Sequence, residues 1–207
     1  RRKQMKPQIH LIFPTPIFQS DLDRPLTKEE LNFINKIKQK TYVNIGNKTS
    51  LNTKILNHRS FKKIKNQIDM ALKQYLDFIL KPKNDFKLYT TQSWLNTTND
   101  SEYHHVHFHA NSILSGVLYL QANPEVDSIT FHKPKSDFFE ISPTKYEVYN
   151  SGKWVFPVNT GLLFIFPSPL YHSVSTKKGD NERISLAFNT FFKGKIGTEK
   201  DLTELII

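Results

Sequence analysis

The pattern of apolar residues changes period at Pro82, and that change limits the folds open to the chain. Upstream, Thr27-Lys28-Glu29-Glu30 is a capping box ahead of a helix carrying Leu31, Phe33, Ile34 and Ile37. A second helix is predicted from near Ser60. Its apolar residues Phe61, Ile64, Ile68, Leu72, Tyr75 and Ile79 recur at helical spacing, and it stops before Pro82. Downstream, residues 87–95, 111–121, 128–132, 146–158, 162–166 and 184–192 read as strands separated by Pro, Asn, Gly and Asp. Residues 11–18 read as an edge strand interrupted by Pro14 and Pro16. Helices followed by many strands imply an α+β chain, mostly β. Its natural architecture is a two-sheet sandwich or jelly roll buttressed by two N-terminal helices. There is no internal repeat, low-complexity tract or linker. The 207 residues therefore read as a single domain, with helical support over about 26–81 and the β core over about 86–193.

Composition removes several chemistries. There is no cysteine, which excludes disulfides, zinc fingers and iron–sulfur clusters, so any metal must be held by His and carboxylates. No apolar run approaches the ~20 residues needed to span a bilayer. The N-terminal Arg1-Arg2-Lys3-Gln4-Met5-Lys6 is basic but no apolar stretch follows it. No secretory signal is read there, and a cytoplasmic location is expected. The net charge of +10 comes from lysines spread along helices and turns (Lys36, Lys38, Lys62, Lys63, Lys81, Lys177 and Lys178 among them) in a chain rich in Asn and Ile. We read it as a composition effect. No helix-turn-helix, Cys/His finger or aromatic sheet signature accompanies it, so a nucleic-acid partner is not expected.

The histidines are concentrated where the strands begin. Four of the eight lie in Tyr103-His104-His105-Val106-His107-Phe108-His109, and a fifth, His172, follows the apolar run that ends in Phe166-Pro167-Ser168-Pro169-Leu170-Tyr171. In a strand, residues two apart share a face, so His105, His107 and His109 are expected on one side and His104, Val106 and Phe108 on the other. Leu114–Leu120 reads as a central strand with the histidines at its mouth, and Gly161–Pro167 as a strand delivering His172 just past its end. Eleven residues after His172 comes Arg183-Ile184-Ser185. There Arg183, Ser185, Ala187 and Asn189 alternate with Ile184, Leu186 and Phe188, a polar or small face against a large apolar one. Ferrous iron needs three protein ligands on one side, leaving positions for a co-substrate and dioxygen. Arg suits the far end of a dicarboxylate because its planar fork meets a carboxylate with two parallel bonds.

These motifs resemble the 2-oxoglutarate and Fe(II)-dependent oxygenase superfamily, in a bacterial and phage group akin to prolyl hydroxylases. The resemblance runs over nearly the whole chain. It begins with Phe13-Pro14-Thr15-Pro16-Ile17 and Ser93-Trp94-Leu95-Asn96. It is densest from His107-Phe108-His109 through Ser115-Gly116-Val117-Leu118-Tyr119-Leu120. It closes with Phe166-Pro167-Ser168, His172-Ser173-Val174 and Glu182–Asn189. It implies a double-stranded β-helix, His107 and His172 as iron ligands, and Arg183 with Ser185 as anchors of the far carboxylate of 2-oxoglutarate. It further implies Fe(II), 2-oxoglutarate and O2 as cofactor and co-substrates, with ascorbate as accessory reductant. The expected reaction is hydroxylation of a peptidyl or amino-acid substrate, in the host cytoplasm if the gene is a phage's.

The chain departs from the superfamily in one place. An Asp or Glu usually stands two residues after the first His ligand, and here that residue is His109. A metal set of His107, His109 and His172 ranks first. His105 with His107 as the pair, or Glu102 or Asp100 as a carboxylate ligand, remain open. Tyr119 is expected to aim its hydroxyl at the co-substrate or to pack in the core, Asn96 and Asn189 to line the pocket, and Trp94 to belong to the core. His10, His58 and His132 have no partners in sequence. The competing reading is a cupin-like metal protein, or a dioxygenase independent of 2-oxoglutarate, for which Arg183-x-Ser185 would have no use.

Overall fold

A computed structural model describes residues 7–134 and 141–207. The basic segment Arg1–Lys6 lies outside them. The described chain is mostly β, with two α-helices. Strand β1 (Phe18–Asp21) leads to α1 (Lys28–Lys38), the hairpin β2 (Thr41–Asn44) and β3 (Asn47–Ser50), and α2 (Lys62–Tyr75). Then follow β4 (Phe86–Thr98), β5 (His104–His107), β6 (Leu114–Gln121), β7 (Ser128–His132), β8 (Lys153–Pro157), β9 (Leu162–Pro167), β10 (His172–Val174), β11 (Arg183–Ile196) and β12 (Leu205–Ile206). Among the described residues no helix is long and apolar enough to cross a membrane.

The strands form two antiparallel sheets. The larger runs β1-β9-β6-β11-β4-β3-β2, with β12 also on β11, and the smaller runs β5-β10-β7-β8. Central strand β11 pairs along its length with β4 and over Ile184–Asn189 with β6. One face of the larger sheet packs on the helices. There Leu95, Leu118, Leu120, Ile184, Leu186 and Phe188 meet Phe33, Ile34 and Ile37 of α1 and Ile64, Ile68 and Leu72 of α2. The opposite face meets the smaller sheet through Val117, Tyr119, Phe164 and Phe166 against Ile129 and Phe131. The two-faced pattern of β11 thus has a physical cause. Its large residues seal the helix layer, and its polar and small ones face the space between the sheets.

The helix starts follow local chemistry. Thr27 accepts from the Glu30 amide and Glu30 accepts from the Thr27 amide, the reciprocal bonding that satisfies free N–H groups at a helix start. Arg24 completes the arrangement with two bonds to the buried Glu30 carboxylate. Leu31, expected among the packed residues, is instead exposed. Three strand expectations need correction. Residues 11–17 form no strand, because Pro14 and Pro16 cannot donate to a ladder, and the strand begins only at Phe18. Residues 146–152 form a turn held by Glu147 and Asn150, so only 153–157 of the expected 146–158 are extended. The β2–β3 hairpin was not expected, because its residues are polar and alternate weakly. Gly46 at its turn has φ +82, a conformation open to Gly.

Candidate metal centre and its pocket

The histidines converge between the two sheets. β5 and β10 pair antiparallel with His107 opposite His172, so ladder register alone brings these two together, with ring centroids 4.3 Å apart. His109, just past the end of β5, has its ring 5.2 Å from that of His107 and 5.1 Å from that of His172. Each of the three offers one ring nitrogen, and these nitrogens lie within 4.8 Å of one another. His172 opens β10 and so belongs to the smaller sheet; it is not on a loop.

All three rings are held by the same device. Nδ1 of His107 is 2.8 Å from the His105 carbonyl oxygen, and Nδ1 of His172 is 3.0 Å from that of Leu170. Nδ1 of His109 is 2.6 Å from Oδ1 of Asn189. Each partner is an oxygen that can only accept, so each Nδ1 carries the proton and each Nε2 is left with its lone pair free. The Asn189 oxygen also accepts from Ser115, whose hydroxyl meets Ser168, which in turn donates to Ser112. Asn189, expected at the pocket wall, therefore acts through His109.

Burial keeps these imidazoles neutral. Loss of solvent lowers the pKa of His109 to about 4, helped by the neighbouring His107. His107 is lowered and His172 is held well below the ordinary imidazole value, in both cases chiefly by burial. Neutral imidazole is the form that binds metal. Neither Glu102 nor Asp100 joins the described cluster. Asp100 is exposed, bonding Ser101 and the Gly179 amide, and Glu102 accepts from the Asn99 amide. The donor set brought together is three neutral imidazoles. It leaves the double charge of a divalent ion undiminished, where a carboxylate would cancel half.

The expected face assignment of the first cluster is corrected by a bulge. His172 pairs with His107 and Val174 with His104, so three steps on β5 span two on β10. The extra residue rotates the strand and puts His104 on the pocket side with His107. His104 lines the cleft, and burial beside the other imidazoles lowers its pKa to about 3. Sequence alternation missed this residue, since a bulge leaves no mark in a four-residue strand. His105, His104 and His107 form a second group with nitrogens within 4.8 Å. The His104 and His107 rings, however, are nearly parallel at 16° with centroids 4.3 Å apart. Rings that close and that parallel lie face over face, so one ion cannot lie in both ring planes. Stacking explains this pair better than shared ligation.

Away from the imidazoles the cleft is lined by Trp94 and Asn96 of β4, Val117 and Tyr119 of β6, Ile129 and Val174, and Ser185 and Ala187 of β11. Trp94, read as core, is half-buried and faces His109 at 5.6 Å. Asn96 accepts from Thr49 of β3 at 2.9 Å. Tyr119 is fully buried, its hydroxyl has no hydrogen-bond partner, and burial raises its pKa. An orphaned hydroxyl in a buried wall is costly unless a ligand meets it. Arg183 lies behind this wall, near enough to Tyr119 and His104 to influence both electrostatically. It is engaged within the protein. One guanidinium nitrogen is 2.9 Å from Asp127 Oδ1, and another donates to the Ser175 carbonyl at 2.9 Å. Asp127 was not anticipated, because nothing in sequence links it to Arg183. Of the other histidines, His58 stacks on Phe33 and caps Ser60, His132 bonds Ser173, and His10 is exposed. Lys177 is buried and donates to the Lys178 carbonyl.

Comparison with known proteins shows what this jelly-roll pocket lined by His groups is similar to. The family described as "Putative 2OG-Fe(II) oxygenase" matches residues 92–189, from β4 through the site to Asn189. Solved structures share the fold at low identity. A 2OG-Fe(II) oxygenase family oxidoreductase from Burkholderia pseudomallei is 14% identical over 83% of this chain and 83% of its own, with a TM-score of 0.54. HygX from Streptomyces hygroscopicus, solved with nickel, 2-oxoglutarate and hygromycin B, is 12% identical over 85% and 82%, TM-score 0.55. A Pseudomonas putida prolyl-4-hydroxylase is 12% identical over 84% and 92%, TM-score 0.54. A search of curated protein sequences finds no match. The similarity to the 2-oxoglutarate/Fe(II)-dependent oxygenases thus covers residues 92–189, just under half of the chain, and the solved structures share its fold.

Proposed function

We propose that the 207 residues form one oxygenase domain, a double-stranded β-helix with α1 and α2 as its buttress. In it His107, His109 and His172 hold a single Fe(II) while Arg183, Ser185 and Tyr119 receive the far carboxylate of 2-oxoglutarate. The supporting observation is the shared tether: three Nδ1 atoms rest on oxygens, and one ring nitrogen of each residue lies within 4.8 Å of the others. Bound iron and 2-oxoglutarate would supply the activation of O2, with release of succinate and carbon dioxide. The protein's own groups do the rest. The Asn189 bond keeps the His109 ring in one orientation. The Phe164, Phe166 and Phe131 cluster dries the space behind His172. The orphan Tyr119 hydroxyl fits an acceptor such as a carboxylate oxygen.

The finer reading is hydroxylation of a peptidyl or amino-acid side chain in the cytoplasm. It is supported by likeness to the prolyl-4-hydroxylase. The same fold also carries an epimerase, SnoN, at 11% identity and TM-score 0.60 over 86% of this chain and 79% of its own. The assay is succinate formation by the iron-loaded chain with ascorbate, offered peptides and free amino acids. Succinate rising with one of them, with an added oxygen atom in the product by mass, supports hydroxylation. Succinate without an added oxygen favours another oxidation.

One observation favours a second reading. Arg183 is already neutralised by Asp127, so a metal protein that does not use 2-oxoglutarate is the alternative. It predicts metal binding with no succinate even in the uncoupled reaction.

A further inference from the structure

The cleft has an unfastened side chain that the metal set does not use. His107, His109 and His172 are tied through Nδ1, and Asn96 is tied to Thr49. His104 forms no side-chain hydrogen bond with any described residue, although its ring is largely shielded from solvent. Its ring lies flat on His107, which fixes its plane. It lines the cleft together with the metal set and with Tyr119 and Ser185 of the anchor end, the span a bound dicarboxylate must cross. The cavity in the cleft is small, about 30 Å3, so a dicarboxylate that enters it presses against the side chains of its walls. Of the four histidines that line the cleft, His104 is the one without a hydrogen-bond tether.

We propose that His104 is a co-substrate-binding residue: its ring swings from the stacked position as 2-oxoglutarate enters and donates an N–H to a carboxylate oxygen. This rests on the 2-oxoglutarate reading above. A neutral imidazole can give one such bond while its other nitrogen accepts. Bonds to an ionised acceptor are the stronger kind. Its flat face on His107 also explains why it is not a ligand.

The test is calorimetric titration of the full chain, loaded with Ni2+ as a redox-inert substitute, with 2-oxoglutarate. His104→Ala is expected to weaken 2-oxoglutarate binding by about tenfold or more, the equivalent of one lost hydrogen bond to a charged group. Its Ni2+ affinity should stay within about threefold of the parent, since a ligand's removal would cost far more. His104→Gln keeps an N–H at similar reach and should recover most of the loss. Unchanged 2-oxoglutarate affinity in His104→Ala overturns the proposal. So does a fall in Ni2+ affinity as large as that of His109→Ala, which would make His104 a ligand. If Arg183→Ala weakens 2-oxoglutarate and His104→Ala does not, only this assignment falls. If the Ni2+-loaded parent does not bind 2-oxoglutarate, the co-substrate reading falls and takes this one with it.

Discussion

Asn189 and His109, eighty positions apart in sequence, are joined by a 2.6 Å hydrogen bond that decides which nitrogen of His109 faces the cleft. The same amide oxygen takes the Ser115 hydroxyl, so strands β6 and β11 both hold it. Removing the acceptor with Asn189→Ala frees the ring to turn. Loss of such an outer partner typically costs 10- to 100-fold in metal affinity. Competition against a chelator should show a fall of about that size for Ni2+, with the thermal transition of the metal-free protein moved much less.

Arg183 and Asp127 are each no more than 2% exposed. Deleting one partner of a buried ion pair strands the other, at a typical cost of about 3–5 kcal/mol. Asp127→Ala and Arg183→Ala should each lower urea stability on that scale. The double replacement should cost much less than their sum, since it strands no charge. Full additivity would mean the two do not interact energetically.

Much of this is readable in the sequence, where the signals are local. The capping box at Thr27 and the helical spacing of Ile64, Ile68 and Leu72 are local signals, and both helices formed where these lie. The alternation in 183–189 separates Ser185 and Ala187, which line the cleft, from Ile184, Leu186 and Phe188, which pack on the helices, because β11 is a central strand with both faces buried. The convergence of His107 and His172 was also legible, as a pair delivered by neighbouring strands. What was hidden depended on pairing between distant segments. The β5 bulge that turns His104 inward arises from the register against β10. The Asp127 partner of Arg183 is set by the loop before β7 meeting the start of β11. Trp94 looked like core because nothing in a Ser-Trp-Leu-Asn string tells which face borders a cleft.

Acid should act through the histidines. His109 is lowered to about 4 and His104 to about 3 in the folded chain, against about 6.5 when unfolded. The unfolded chain therefore takes up more protons between these values. The stability these groups contribute is present above pH ~6.5 and is lost as pH falls toward ~4, because protonation then favours unfolding. Urea midpoints of the metal-free protein should decline over that window. His109→Gln, which removes one such group, should flatten the decline. An unchanged slope would show that His109 is not buried and neutral.

Gly116 faces the Phe188 ring so closely that an added Cβ would stand 2.2 Å from its nearest atom. Phe188 is fully buried against the helix layer and has nowhere to retreat. Gly116→Ala should destabilise by about 1–3 kcal/mol through overpacking, read as a lower urea midpoint. Gly116→Ala with Phe188→Leu should recover part of the loss by making room.

Anaerobic titration shows whether one site binds iron and 2-oxoglutarate together. Fe(II) is added to the metal-free chain, followed by 2-oxoglutarate, and the visible spectrum is recorded. Joint binding predicts a weak metal-to-ligand charge-transfer band that saturates at one equivalent and is absent in His172→Ala. Iron bound tightly by the parent, with no such band at saturating 2-oxoglutarate, would contradict the account.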